Sequence, residues 1–360
     1  MLQTTEQLSK KIAENATETD SKGLFPSDNI HLLGRQGFLS AILPRPVGLQ
    51  VSHLLFARIV ETLARACAST AWVYTVHSAA SYSLFSAGNE AQRERYVRGA
   101  ADGTKLFGFA ATETGTGAGM TGLQTSVTPA GDAYLLNGVK SFISLTQEAD
   151  IFLVLAKPFD SQQGSNNLVC VVEKGTPGFE VGESFEGMGM RGISWGELLF
   201  KDCVVPKSNI IGDAFRAISS GGHVGMLGSC AISLGLAQAG LDLALKHAKE
   251  RTILGQKLAS REGIQFLLSE MASDVQAMRQ MLYFGAEENE RSPNAYPSLL
   301  QMKIFITETA VKVLDKALRV TGATGYSRGV PLERYYRDVR APMLHFQTLE
   351  TAKRALGSML

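Results

Sequence analysis

The chain has 360 residues, of which 45% are hydrophobic and 19% are charged, and its formal net charge is +1. A single hydrophobic core stops growing at about 250–300 residues, so this composition predicts a globular protein of two or three subdomains. The balanced charge, without a dense basic run, excludes an electrostatic argument for a nucleic-acid partner. The first 23 residues do not have the pattern of a secretory signal, and no apolar run approaches the roughly 20 residues that span a bilayer, so we expect no membrane association and a cytoplasmic location.

The first zone of the chain, residues 1–105, has the periodicity of helices. Apolar residues recur at intervals of three and four between residues 54 and 85, where Ile59, Leu63 and Cys67 share one face. His77 lies in the apolar part of this zone and is either a hydrogen-bonded core residue or a catalytic group. The other histidines are expected at the surface, as for His53, or are ambiguous, as for His223 at a later domain junction.

The second zone, residues 106–214, consists of short apolar runs separated by Gly, Pro, Asn and Ser, which is typical of strands. The dipeptide Asn137-Gly138 predicts a hairpin turn. The segment Gly187–Gly192 has the spacing GxGxxG, but a strand follows it, so we interpret it as a loop between strands and not as a dinucleotide fingerprint. The glycine-rich segment Thr112–Gly122 is either a flexible loop or a place where backbone amides approach an anion or a flat ring.

The third zone, residues 215–360, returns to helical periodicity. Three long apolar stripes and a short terminal segment from about Gln347 predict a bundle of four antiparallel helices. The cysteines are far apart, form no CxxC pair and predict buried, reduced thiols and no metal site; they are Cys67, Cys170, Cys203 and Cys230.

Several motifs, taken in order, resemble those of the acyl-CoA dehydrogenase superfamily over nearly the whole chain. They are FAATETGTGAG, NGVKSFIS, KGTPGF, RGISWGELLFKDCVVPKSNIIG, ERTILG and GATGYSRGVPLERYYRD. The resemblance implies an α+β fold with an N-terminal helical domain (1–105), a middle β-barrel (106–214) and a C-terminal four-helix bundle (215–360).

The resemblance also implies a bound flavin, FAD being expected and FMN being the alternative. The residues at positions that contact the cofactor in this superfamily are Phe109, Ala111, Thr112, Gly117, Phe142, Ser144, Arg251, Arg319, Gly322, Ala323 and Thr348. Phe142 and Ser144 would face the flavin ring, whereas Arg251 would reach the diphosphate across a subunit interface. A site shared between subunits implies a homotetramer or a homodimer.

The glutamate that serves as the base in this superfamily is absent. Its usual position, eight residues after Asp338, is Phe346, and its alternative position on the first bundle helix is Gly225. Met226 stands where an arginine is common, and Phe346, Gly225 and Met226 are expected to line the substrate pocket. Glu350 lies about 6 Å along the helix from Phe346 and is not expected to replace the base.

His345 is the leading candidate for a catalytic group, because an imidazole can donate or accept a proton near neutral pH. A purely structural hydrogen bond to a backbone carbonyl is the alternative for this residue.

Three functions are compatible with these residues. The first is dehydrogenation of an acyl thioester, bound to CoA or to an acyl carrier protein, or of a related small molecule. The second is reduced-flavin monooxygenation with His345 and His77 in the pocket, because the segment RDVRAPMLH resembles the flavin monooxygenase branch of the superfamily. The third is a non-catalytic flavin-binding subunit, and the retained Thr112, Ser144 and Arg251 argue against it.

Overall fold

A computed structural model describes residues 1–101, 103–115, 122–160 and 167–360. Helices come first, strands follow, and helices return, so the predicted α+β fold class is confirmed. The four cysteines are buried and free, as predicted.

The N-terminal region is helical. Its helices are α1 (Leu2–Lys22), α2 (Ser27–Arg35), α3 (His53–Ala66), α4 (Ala68–Ala87), α5 (Glu90–Gln92) and α6 (Arg98–Ala101), with a π-helical turn at Arg93–Val97. Helix α4 is apolar around most of its circumference, and Trp72 and Tyr74 are fully buried on it. A helix that is apolar on all sides must lie inside the fold, so α4 runs between the other regions.

The middle region is a mixed sheet. Its strands are β1 (Phe107–Ala110), β2 (Ser126–Ala130), β3 (Ala133–Ser144), β4 (Ile151–Pro158), β5 (Leu168–Glu173), β6 (Phe179–Phe185), β7 (Trp195–Pro206) and β8 (Ile210–Ile211). They follow the order β6-β7-β3-β2-β4-β5-β8, and β1 pairs in parallel with β4. Among the described residues the end strands do not pair with each other, so the middle region, predicted as a β-barrel, is an open mixed sheet and not a closed barrel. Strand β2 pairs with β3 and also, in parallel, with two residues at the end of β4.

The hairpin predicted at Asn137-Gly138 is also wrong, because this dipeptide lies inside β3. The side chain of Asn137 reaches across to Asp202 on β7, with Nδ2 3.1 Å from Oδ1. Gly138 permits a close approach, since a Cβ there would lie 2.6 Å from Thr125. The turn between β2 and β3 is centred instead on Gly131, whose φ of 59° and open surroundings suit glycine.

The C-terminal region contains the predicted bundle, formed by α7, α8, α9 and the short α12. The helices are α7 (Ala214–Glu250), α8 (Glu262–Arg291), α9 (Tyr296–Thr321), α10 (Ala323–Tyr326), α11 (Leu332–Asp338) and α12 (Leu349–Gly357), and a two-stranded β9 (Thr252–Ile253) and β10 (Gln256–Lys257) follows α7. By length and composition α7 could cross a membrane, contrary to the sequence-based expectation, but 94% of its most apolar window is buried inside the fold. This burial is typical of a core helix.

The loop Gly187–Gly192 joins β6 to β7 and packs against the end of α11, as expected for a loop between strands. A Cβ on Gly189 would lie 2.5 Å from the carbonyl oxygen of Arg337, so only glycine permits this contact. The Asp338 carboxylate accepts a hydrogen bond from the Met190 N–H, and Arg337 pairs with Asp20 of α1 at 2.6 Å. The segment that precedes His345 is therefore anchored to both other regions of the chain.

A buried ion pair joins the loop after β1 to β3. The Nζ of Lys140 lies 2.7 Å from Oε1 of Glu113, and both side chains are almost fully buried. Burial alone would raise the pKa of the Glu113 carboxyl, but hydrogen bonds from Lys140 and from the backbone N–H groups of Gln124 and Thr125 lower it overall. Two motifs of the sequence analysis, TETG and NGVK, thus meet in one structural contact.

We expect Lys140→Met to lower the free energy of unfolding by about 3–5 kcal/mol, because it leaves the Glu113 carboxylate buried without its cation. Urea unfolding followed by circular dichroism measures the loss. Lys22→Met is the matched control, since its pair with Glu18 is exposed, and we expect no measurable change there. Equal losses of unfolding free energy in the two variants would show that the buried pair stabilises the protein no more than the exposed pair does.

Candidate active site

Three neighbouring strands bring Ser144, Trp195 and Phe185 into one row. Trp195 of β7 lies directly opposite Ser144 of β3 and opposite Phe185 of β6 in the two antiparallel ladders. Residues that are directly opposite in a ladder point to the same face of the sheet. This edge of the sheet therefore presents two aromatic rings with a hydroxyl beside Trp195.

Trp72 of helix α4 connects this row to the C-terminal region. Its Nε1–H donates a hydrogen bond to Oγ of Ser144 over 3.2 Å. Its ring lies 4.8 Å from the His345 ring, in an edge-on arrangement, and 5.9 Å from the Phe346 ring, measured between centroids. Helix α4, the end of β3 and the segment before α12 thus meet at one indole.

The His345 imidazole packs against both tryptophans of the chain, since the Trp195 ring centroid is also 4.8 Å away. The two indole centroids are 5.9 Å apart, so the three rings form a triangle. Its Nδ1 lies 2.9 Å from the carbonyl oxygen of Ala341. A carbonyl can only accept, so Nδ1 carries the proton and the lone pair is on Nε2. Burial lowers the pKa of His345 to about 4, the hydrogen bond to Ala341 opposes this change, and the Lys303 ammonium adds to it. The imidazole is therefore neutral at neutral pH.

Gly225 and Phe346, two residues predicted to line the substrate pocket, are in contact. A Cβ added to Gly225 on α7 would lie 2.1 Å from Cδ1 and Cε1 of the Phe346 ring. The ring thus fills the space that a side chain at position 225 would need. Met226, the next residue of α7, is buried in the core. Neither residue carries a carboxylate, and the Phe346 ring fits against position 225 because that residue is glycine.

Strained backbone surrounds these residues. Phe142 and Leu145, on either side of Ser144, have φ values of 58° and 63°. Phe346 and Gln347 have φ values of 48° and 88°, and Gln347 accepts a hydrogen bond from the hydroxyl of Tyr296. Non-glycine residues in this region of φ cost free energy and cluster at functional sites. Strained residues therefore lie both next to Ser144 and directly after His345.

The residues around Ser144 fit a flat aromatic cofactor such as a flavin. The Nε1 of Trp195 is buried and has no hydrogen-bond partner among the residues that the structure describes. Phe142, Phe185 and Met188 remain 57%, 43% and 62% exposed, although Phe142 and Phe185 are in edge-on contact at 5.5 Å. An unpaired donor beside an uncovered apolar surface suits a ring with hydrogen-bonding edges.

The other residues predicted to contact the ring follow β1. Phe109 lies in this strand, and Ala111 and Thr112 follow the end of the strand. The Thr112 carbonyl accepts a hydrogen bond from the Ser141 N–H over 3.0 Å. This bond places the segment beside β3, at the residue that directly precedes Phe142 and lies three positions before Ser144. Gly117 lies outside the described residues.

The residues predicted to bind the rest of the cofactor lie elsewhere on the chain. Arg251 and Arg319 are exposed at the ends of α7 and α9, and Gly322 and Ala323 are exposed between α9 and α10. Thr348 caps α12, where its hydroxyl oxygen accepts from the Thr351 N–H. Exposure suits contact with a second copy of the chain, but the assignment of these residues to the cofactor stays a prediction.

The structure does not bring His77 to His345. His77 is fully buried, its Nδ1 accepts from the Phe107 N–H over 3.3 Å, and its ring packs edge-on against the Phe107 ring. Burial lowers its pKa to about 4. It follows Trp72 by five residues, which is about 140° around the helix, so the two side chains face different sides of α4. The prediction that His77 and His345 line one pocket is therefore wrong.

The histidine expected at the surface near the start of α3 is also buried. Nδ1 of His53 lies 3.0 Å from Nδ2 of Asn289, and Oδ1 of the same amide lies 2.9 Å from Nδ1 of His223. Burial lowers the pKa of both imidazoles. Asn289 thus bridges the two rings, which explains how two polar residues are accommodated between α3, α7 and α8.

Sequence reasoning missed three residues of the site, namely Trp72, Trp195 and Lys303. The two tryptophans are the only ones in the chain, which is a signal that could have directed attention to them. Lys303 interrupts an apolar helical stripe between Leu299 and Ile306, and a charged residue on such a face is a second signal.

Comparison of the chain with known proteins shows its family. The N-terminal, middle and C-terminal domain models of acyl-CoA dehydrogenases match residues 3–104, 108–203 and 213–346. The chain is 32% identical to cyclohex-1-ene-1-carbonyl-CoA dehydrogenase of Geobacter metallireducens, with 98% of this chain and 94% of the relative covered. It is 31% identical to an acyl-CoA dehydrogenase of Bacillus subtilis, with the same coverage. The structure of butyryl-CoA dehydrogenase from Megasphaera elsdenii superposes with a TM-score of 0.94 at 29% identity, covering 99% of this chain and 97% of that one.

We expect Gly225→Ala to destabilise the protein by about 1–3 kcal/mol, because the new methyl group overlaps the Phe346 ring. Gly222→Ala is the matched control on the same helix. A Cβ at Gly222 meets nothing within 4 Å, so alanine there should stabilise by about 0.5–1 kcal/mol. Urea unfolding of each variant measures the difference.

The pair is tested further by combining Gly225→Ala with Phe346→Ala. Removal of the ring makes room for the methyl group, so the double variant should be more stable than the sum of the two single changes predicts. Additive losses would mean that the two residues do not pack against each other.

Proposed function

The chain belongs to the acyl-CoA dehydrogenase family, and from this premise we propose that it dehydrogenates an acyl thioester with the His345 imidazole as the proton acceptor. As a member of the family it is an oxidoreductase, and its cofactor is FAD. The reaction removes a proton from the carbon next to the thioester carbonyl and a hydride from the carbon after it. FAD, when bound, would supply the acceptor for the hydride, so the chain itself must supply the acceptor for the proton.

The Nε2 atom of His345 is the observation that supports this assignment. The Ala341 carbonyl holds the ring with its proton on Nδ1, which leaves a lone pair on the other nitrogen. The pKa of about 4 gives this imidazole the basicity of an ordinary carboxylate, whose pKa is about 4.3 for glutamate. In this proposal the neutral imidazole of His345 does the work of a glutamate base, which the resemblance would place at position 346 or 225.

Packing around the ring serves the same chemistry. The indoles of Trp72 and Trp195 cover two sides of His345 and exclude water from them. Exclusion of water strengthens the interaction of the imidazole with a substrate proton and prevents loss of the proton to solvent. The Phe346 ring packs against Gly225 of α7 and contacts the Trp72 indole.

Ser144 is proposed to orient the cofactor. Trp72 donates to one lone pair of its Oγ, which directs the hydroxyl proton away from the indole. That proton is available to an acceptor on the flavin, as the family resemblance implies for this position. Trp72 is thus a positioning residue for Ser144.

The thioester carrier is proposed to be CoA or an acyl carrier protein. The curated relatives named above act on CoA thioesters according to their names. Met226, buried where the family commonly has an arginine, offers no cation to the substrate, which favours a carrier with fewer polar contacts at this point. The exposed Arg251 and Gly322 support assembly into a homodimer or homotetramer with a shared cofactor site.

The monooxygenase hypothesis has less support. It required His345 and His77 in one pocket, and His77 packs instead against Phe107 on another side of α4. A long-lived spectral intermediate on mixing the reduced enzyme with oxygen would support it.

We expect His345→Ala to bind FAD normally but to lose at least about 100-fold in the rate of flavin bleaching by acyl-CoA, because the proton acceptor is gone. Anaerobic stopped-flow mixing with butyryl-CoA and with cyclohex-1-ene-1-carbonyl-CoA measures this rate. Glu350→Gln is the control, since Glu350 is an exposed carboxylate on α12, and should react like the unmodified protein. A wild-type rate in His345→Ala would exclude the imidazole as the base.

The same rate should depend on pH in the manner of a base with a pKa of about 4. The imidazole must be unprotonated to accept a proton, so the rate should be constant from pH 8 to about 5.5 and fall as the pH approaches 4. A midpoint near the ordinary histidine value of about 6.5 would contradict the buried, neutral state of the ring.

Reduced enzyme mixed with oxygen separates the two reaction types. We expect the flavin absorbance to return to the oxidised spectrum in one step, because a dehydrogenase does not need to stabilise an oxygen adduct. A long-lived spectral intermediate would contradict the dehydrogenase assignment and favour monooxygenation.

A further inference from the structure

Lys303 is a cation inside the bundle. It lies on α9 with no exposed surface. Its Nζ is within hydrogen-bond distance of Oγ of Ser229 (3.1 Å), of the His345 carbonyl oxygen (2.9 Å) and of the Pro342 carbonyl oxygen. The three acceptors use all three protons of an ammonium group, and none of them carries a charge. Burial lowers the pKa of Lys303 to about 8, so the group is still mainly cationic at neutral pH.

The three acceptors lie on two parts of the chain. Ser229 belongs to α7, one helical turn after Gly225. Pro342 and His345 are the two ends of the short segment that carries the imidazole, and Nζ binds the backbone of both. The ammonium thus fixes the His345 backbone relative to α7 and α9, while the Ala341 carbonyl fixes the ring.

The uncompensated charge of Lys303 also affects the imidazole. A second positive charge close to a buried cation is unfavourable, because the surroundings screen it poorly. Cys230 of α7 is the titratable side chain that acts on Lys303, and its thiol, with a pKa raised to about 11 by burial, stays neutral. Trp72 of α4 and Trp195 of β7, which enclose His345 on its other sides, carry no charge.

We propose that Lys303 is a positioning residue for His345, which holds the segment Pro342–His345 in place and makes protonation of the imidazole less favourable. The catalytic consequence rests on the proposed function, since it matters only if Nε2 accepts the substrate proton. The contact and its electrostatic effect do not depend on the substrate. A purely structural lysine would order the segment without changing the titration of the ring.

The experiment compares Lys303→Gln, which removes the charge but keeps a donor, with Lys303→Arg, which keeps the charge. FAD-loaded protein with ¹³C-labelled histidine is titrated by NMR, and His345→Gln assigns the Cε1–H signal of residue 345. We expect a midpoint near 4 in the unmodified protein and in Lys303→Arg. In Lys303→Gln the midpoint should rise by about 1, as expected when a like charge is removed from a buried site.

Ser229→Ala is a matched control, because it removes one acceptor and retains the cation, and its midpoint should stay with that of the unmodified protein. If Lys303→Gln does not fold, Lys303→Met provides a neutral side chain of similar length and should show the same rise. An unchanged His345 midpoint in a folded neutral variant would overturn the proposal.

The flavin-bleaching rate separates this proposal from the proposed function. If Lys303 acts on the ring and His345 is the base, the pH at which the rate falls should be higher in Lys303→Gln, by the same amount as the NMR midpoint. A shifted midpoint combined with an unimpaired His345→Ala enzyme would support the Lys303 contact and reject His345 as the base.

Discussion

The indole of Trp72 connects all three regions of the molecule at the site. It stands on a helix that is buried on nearly all sides, donates to Ser144 at the end of a strand, and packs against His345 and Phe346 before the last helix. Each of these contacts depends on the others, because an aromatic ring that fills a junction transmits any shift to every neighbour. The row of Ser144 and Trp195 on the sheet, and the packing of Phe346 on α7, are therefore parts of one arrangement.

Desolvation is the main electrostatic consequence of this arrangement. The enclosed imidazole loses the water that would stabilise its charged form, so a residue that ordinarily titrates near neutrality stays neutral to about pH 4. The buried ammonium of Lys303 acts in the same direction and needs no carboxylate, because three neutral oxygens receive its protons.

Several of the motifs that identify the family have structural roles in this chain. The glutamate of TETG and the lysine of NGVK form the buried pair between Glu113 and Lys140. The Arg337-Asp338 pair of the RYYRD run anchors the loop before β7 and helix α1. These contacts stabilise the framework, and they do not involve Gly225, Phe346 or His345.

The order of helices, sheet and bundle could be predicted from the sequence alone, because the periodicity of apolar residues is a local property. The family and its flavin cofactor could likewise be predicted from motifs at fixed spacing, whereas the catalytic role of His345 stays a prediction. The position of Gly138 inside a strand, the separation of His77 from His345 and the burial of His53 could not be predicted in this way. Periodicity indicates which face of an element is covered, but it does not indicate which distant segment covers it. Only the tertiary structure could bring both tryptophans and Lys303 to the imidazole, since these contacts join residues that are far apart in the chain.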